Sequence, residues 1–165
     1  MTEIKSIRDI PNLKGKRVFV RVDWNVDIVD GRVLEDFRIK KSMPTLEYLD
    51  QEGAEVIIAT HLASGSIDAL DHFVPKGMRL IDNLRDHEGE ETNSLEFAKN
   101  LAKQADIYVN EAFSVSHRKH ASIVSLPTLL TSYAGLRFVE EVENLSQALN
   151  PPHPSFLILG GAKFE

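Results

Sequence analysis

Apolar residues fall in two rhythms along this chain. Short β-branched runs alternate with longer stretches whose apolar positions recur every three or four residues, the pattern of strand–helix–strand units. Val18, Phe19, Val20 and Val22 mark a first strand over 17–22. Residues 28–34 follow as a hairpin around Asp30-Gly31, a strong turn signal. Ile39, Met43, Leu46 and Leu49 line one face of a helix over 37–52. Gly53 is its stop, and Pro44 marks a kink or a boundary between two pieces. Residues 55–60 are almost continuously apolar, as in a parallel strand covered on both faces. Residues 62–78 lack a pattern and read as loop with at most one short helix; 78–83 read as a third strand. Ser94 caps a helix running to Gln104, with Leu95, Ala98, Leu101 and Ala102 as its apolar stripe. A fourth strand spans 106–110, and a short helix interrupted by Pro127 spans 122–131. Residues 136–149 form a strongly amphipathic helix, 150–154 a stiff proline-rich linker, and 156–159 a fifth strand leading into Gly160-Gly161-Ala162-Lys163.

This layout predicts an α/β fold, an open and mostly parallel sheet with helices on both faces. The ligand site of such a sheet lies beyond the carboxyl ends of the strands. Composition narrows the options. At 165 residues the chain amounts to about one domain by the usual ~150 residues each, and a chain of that size buries roughly 68–70% of its unfolded surface. With no cysteine, a disulfide scaffold, a thiolate zinc site and cysteine nucleophile chemistry are excluded, and a cytosolic location fits. The first sixteen residues mix charges with isolated apolar residues, unlike a signal peptide. Val56-Ile57-Ile58-Ala59 falls far short of the ~20 apolar residues that span a bilayer, so no membrane segment is expected. The net charge of −6 argues against general nucleic-acid binding but permits a local basic pocket.

Such a pocket emerges from the strand ends. Asp23-Trp24-Asn25 follow the first strand, His61-Leu62-Ala63-Ser64 the second, Leu84-Arg85 the third, and Glu111, Phe113 and His117-Arg118-Lys119-His120 the fourth; Arg38 opens the first helix. This set is rich in Arg and His within an acidic chain. Planar donors converging on one sheet edge suit a phosphate or carboxylate ligand. Taken singly, each has a plainer reading: a surface charge for an arginine, turn hydrogen bonds for Asp23 and Asn25. His117 and His120 stand at a spacing of three, but with no third ligand nearby no metal is expected. The charged run 86–91 reads as a solvated loop. Gly160-Gly161-Ala162-Lys163 matches neither a Walker loop nor a dinucleotide fingerprint, and is a weak anion signal at a strand-to-helix turn.

Five ordered segments together resemble the phosphoglycerate kinase family. Arg21-Val22-Asp23-Trp24-Asn25-Val26 is similar to RVDFNVP, and Thr60-His61-Leu62 to the start of SHLGRP. Asp82-Asn83-Leu84-Arg85 is similar to ENLRF, residues 109–113 with 116–122 to VNDAF and AHRAHAS, and 159–163 to LGGAK. The resemblance runs from about Ile10 to Lys163. It implies a Rossmann-like three-layer α/β/α domain with a mostly parallel sheet, followed by an interdomain helix and an orphan strand. Residues 1–135 would be the substrate domain, 136–152 the interdomain helix and linker, and 153–165 the first strand of a nucleotide domain whose remainder is missing here. Asp23, Trp24 and Asn25 would lie against the substrate, with Asp23 and Asn25 orienting the hydroxyacid. His61, Arg85 and Arg118, with His117 nearby, would hold the 3-phosphate. Arg38 would sit near the reacting carboxylate, and Lys163 would face the phosphoryl group in flight. The partner is then 3-phosphoglycerate or 1,3-bisphosphoglycerate. Mg-ATP or Mg-ADP, the family's nucleotide, is not expected to bind this chain alone, and the isolated chain is expected to have no kinase activity.

Four departures temper the transfer. Ser64 stands where the family has Arg, and Ala63 where it has Gly. Losing one charged phosphate contact costs about 1.5–3 kcal/mol, or about 10–100-fold in affinity. Ser114 replaces a family Gly, and Asp86 a family Phe. The stretch between His61 and Asn83 is short, which predicts a missing strand and about four in the domain. A non-catalytic anion-binding or interaction module derived from this domain remains the alternative.

Overall fold

The structure is a computed structural model that describes residues 4–149, 151–156, 158 and 160. β1 (Arg17–Arg21) is followed by a hairpin of β2 (Ile28–Val29) and β3 (Arg32–Val33). Asp30 and Gly31 both take positive φ there, 50° and 72°, as the Asp-Gly signal requires. α1 (Phe37–Gln51) leads to β4 (Glu55–Ala59), and Pro44 sits inside α1 without splitting it. A 3-10 turn over Ile67–Phe73 precedes β5 (Arg79–Leu80). Then come α2 (Glu88–Glu91), α3 (Leu95–Ala102), β6 (Ile107–Asn110), β7 (Thr131–Ala134) and α4 (Leu136–Leu149).

Five strands form one parallel sheet in the order β5-β4-β1-β6-β7. β1 is the central strand, with Arg21 in register with Ala59 of β4 and Asn110 of β6. Those three strands therefore end level, and the segments after them share one edge. Alternation along β1 feeds both faces. Val18 and Val20 pack with Ile39, Leu46 and Leu49 of α1 on one side. Phe19 packs with Tyr108 and with Ala98 and Leu101 of α3 on the other. The result is the predicted three-layer α/β arrangement.

The structure differs from expectation in the 122–131 helix, the strand number and the 86–91 loop. The span 122–131 is not a helix: a 3-10 turn covers Leu126–Thr128 around Pro127, and β7 begins at Thr131. Thr131–Ala134 pair with β6 at and just past the end of that span, so the sheet has five strands, not four. Within 86–91, read as a solvated loop, residues 88–91 form a helical turn with Glu90 fully buried. The fifth strand expected at 156–159 falls largely outside the described residues; Phe156 and Ile158 are irregular and exposed. Among the described residues no helix is long and apolar enough to cross a membrane.

Candidate functional site

The loop after β1 is pinned from inside. Trp24 is fully buried; its amide donates to Thr60 Oγ1 at 2.9 Å and its indole N–H to Ser42 Oγ at 2.7 Å. Its side chain thus belongs to the core, and it serves the edge by fixing its neighbours Asp23 and Asn25. The Asn25 Oδ1 accepts the Ala63 amide at 2.9 Å, which ties the β1 loop to the β4 loop. Asp23 Oδ2 accepts Arg38 Nη1 at 2.8 Å and the Ser114 hydroxyl, while its Oδ1 is buried with no partner among the described residues. A buried carboxylate oxygen without a donor invites one from a ligand hydroxyl.

His61 is buried at the end of β4, against an arginine that the sequence reading left without a role. Arg21, the last residue of β1, is completely enclosed. Its Nη2 lies 2.9 Å from His61 Nδ1, and its Nε donates to Ser122 Oγ at 3.0 Å. Arginine has no acceptor, so His61 Nδ1 must accept and the ring carries its proton on Nε2. Burial, reinforced by the charges of Arg21, Arg85 and Arg118, pulls the His61 pKa down to about 3. The imidazole is therefore a neutral, oriented N–H donor at ordinary pH.

The remaining cations gather around it. Arg85 follows β5, partly buried, with Nε 3.4 Å from Glu91 Oε1; that approach is a charge contact without hydrogen-bond alignment. Asn83 stitches its loop to the β4 loop, its Oδ1 accepting the amides of Leu62 (2.9 Å) and Arg85 (3.2 Å). His117 and Arg118 stand exposed on the turn after β6, with the Arg118 amide donating to Val115 O at 2.9 Å. His120 is half-enclosed, its Nδ1 3.8 Å from Glu90 Oε1, and burial lowers its pKa. Arg85 and Arg118 act electrostatically on both His61 and His120, which puts these cations in one neighbourhood. Ser64 is exposed. Lys163 lies outside the described residues. Among the described residues no group of three metal-ligating side chains forms.

Behind this edge, Glu111 joins β6 to α4. Its carboxylate accepts the Thr45 hydroxyl at 2.7 Å and the amides of Arg137 (3.1 Å) and Phe138 (3.4 Å) in the first turn of α4. Burial outweighs these donors and lifts its pKa to about 7. Gly135 makes the contact possible, since a Cβ there would meet Glu111 Oε2 at 1.8 Å.

An open parallel sheet with a buried, oriented histidine and several arginines at its carboxyl edge defines an α/β domain with a cationic ligand edge. Comparison with known proteins sharpens that class. The sequence profile of phosphoglycerate kinase matches residues 7–71 and 65–165, and the seam falls in the stretch found to be short. A curated phosphoglycerate kinase of Coprothermobacter proteolyticus is 41% identical over 198 aligned residues, covering 98% of this chain and 50% of the relative. The phosphoglycerate kinase structure from Pyrococcus horikoshii superposes with a TM-score of 0.82 at 28% identity, covering 97% of this chain and 49% of that one. The one from Coxiella burnetii gives 0.81 at 28%, covering 92% and 46%. The chain belongs to the phosphoglycerate kinase family and spans about half the length of the relatives it matches.

Proposed function

We propose that this chain is the 3-phosphoglycerate-binding half of a phosphoglycerate kinase, which transfers a phosphoryl group between 1,3-bisphosphoglycerate with ADP and 3-phosphoglycerate with ATP. The observation that carries the reading is the neutral His61, its Nε2–H oriented by Arg21, beside Arg85 and Arg118. A phosphate needs donors that do not depend on being charged at the right pH, together with cations that are always charged. His61 supplies the first and the arginines the second. The unpartnered Asp23 Oδ1 suits the 2-hydroxyl of a hydroxyacid, with Asn25 beside it on the same loop. Arg38, now paired with Asp23, is placed to turn to an incoming carboxylate. That acceptor is already ionised at neutral pH, so no general base is required, and catalysis reduces to positioning and cationic stabilisation.

In this reading residues 1–135 form the substrate domain, 136–152 the connecting helix and linker, and 153–165 the start of a nucleotide domain that would bring Mg-ATP or Mg-ADP. Lys163 would meet the moving phosphoryl group there, and the work is cytosolic. The isolated 165-residue chain then has no kinase activity, and ATP-dependent turnover in a coupled assay would contradict this.

Ligand binding tests the substrate assignment. Calorimetric titration with 3-phosphoglycerate should give a measurable heat at millimolar ligand. Arg118→Ala should weaken the affinity about 10–100-fold, the effect of one charged phosphate contact. Unchanged affinity in that variant would remove Arg118 from the site. The exposed Ser64, where the resemblance has an arginine, favours a second reading, a non-catalytic anion module; equal affinity for inorganic phosphate and 3-phosphoglycerate would support it.

A further inference from the structure

The short helical turn α2 holds a carboxylate that the proposed reaction leaves unused. Glu90 is fully buried, in a run of charges that otherwise faces solvent. Its Oε2 accepts the Ser122 amide at 2.9 Å and its Oε1 the Ser122 hydroxyl at 2.5 Å. Its own carbonyl accepts the Ala121 amide at 2.8 Å, so α2 grips the end of the loop that carries Arg118. The directions of the remaining bonds follow from this anionic end. A hydroxyl that donates to a carboxylate has its proton committed, so Ser122 Oγ accepts from Arg21 Nε at 3.0 Å. Held there, Arg21 directs its Nη2 at His61 Nδ1, 2.9 Å away. The Glu90 charge also opposes, in part, the effect of burial on Arg21, whose pKa remains lowered.

We propose that Glu90 is a positioning residue for the phosphate ligand: through Ser122 and Arg21 it fixes His61 as an Nε2–H donor and anchors the loop bearing Arg118. The inference rests on the substrate reading above and extends it. One carboxylate buried under the loops thereby aligns two ligand contacts that come from different strands, without touching the ligand.

The test separates the relay from the substrate. Nitrogen-15 spectra of His61 in the ligand-free chain should show one tautomer, protonated on Nε2, with Nδ1 hydrogen-bonded. In Glu90→Gln the anionic end is lost, and His61 should average between tautomers while the affinity for 3-phosphoglycerate falls about tenfold. Ser122→Ala cuts the same relay while Glu90 keeps its backbone amide contact, and the same two changes are expected; it decides the matter if Glu90→Gln does not fold. A single unaltered tautomer and unaltered affinity in the folded variants would overturn the relay. Absence of binding by the unaltered chain, with the tautomer change intact in the variants, would instead overturn the substrate reading.

Discussion

His61 shows how one buried contact sets the chemistry of a residue. An exposed histidine changes charge near pH 6.5, whereas this one is held neutral down to about pH 3 by burial and by Arg21. The unfolded chain takes up the proton near 6.5 and the folded chain does not. His61 therefore has no linked effect on stability above pH 6.5, and it destabilises the fold progressively as pH falls from there toward 3. The expected outcome in an NMR pH titration is a flat His61 ring signal between pH 5 and 8; a step near 6.5 would show that Arg21 does not control it. The residues singled out in the sequence divide by what burial did to them. Asp23, Asn25, His61, Arg85 and Arg118 all sit at the predicted edge. Trp24 turned inward because its indole was needed between the sheet and α1, a matter of packing that a linear motif does not carry. Arg21 belongs to the first quoted segment, but only the fold brings it to Ser122, a hundred residues on.

At the scale of elements, period-2 and period-3.6 patterns identified the long units well. β1, α1, β4, α3, β6 and α4 lie within a residue or two of their predicted spans because each has a full apolar face to bury. The short units were less legible. β7 reads Thr131-Ser132-Tyr133-Ala134, with too little apolar content to announce a strand, and it exists because the edge of β6 needs a partner. α2 lies in a run of acids, and nothing local indicates that Glu90 is the one to be buried. The junction of β6 with α4 supports a prediction of its own. Gly135→Ala forces a methyl into Glu111 Oε2 and should destabilise the chain by about 1–3 kcal/mol in denaturant unfolding, as overpacking does. Shortening the obstructing side chain should relieve the clash, so in Glu111→Ala the added Gly135→Ala should cost less than in the parent. Equal costs in both backgrounds would show that Glu111 is not what Gly135 makes room for.

At the scale of the whole molecule, the net charge of −6 averages an acidic body with a concentrated cationic edge. The sheet places that edge by ending β1, β4 and β6 level, so that loops distant in sequence supply one cluster. The chain matches its relatives over about half their length, and the proposed substrate reading concerns that half alone. The proposed ligand of the carboxyl edge is 3-phosphoglycerate. The most direct measurement is a 1H–15N correlation spectrum of the chain titrated with that ligand. Saturable shifts are expected at Asp23, Asn25, His61, Arg85 and Arg118, with β2, β3 and the far ends of the strands unmoved. No saturable shift at millimolar ligand, or shifts gathered elsewhere on the chain, would contradict it.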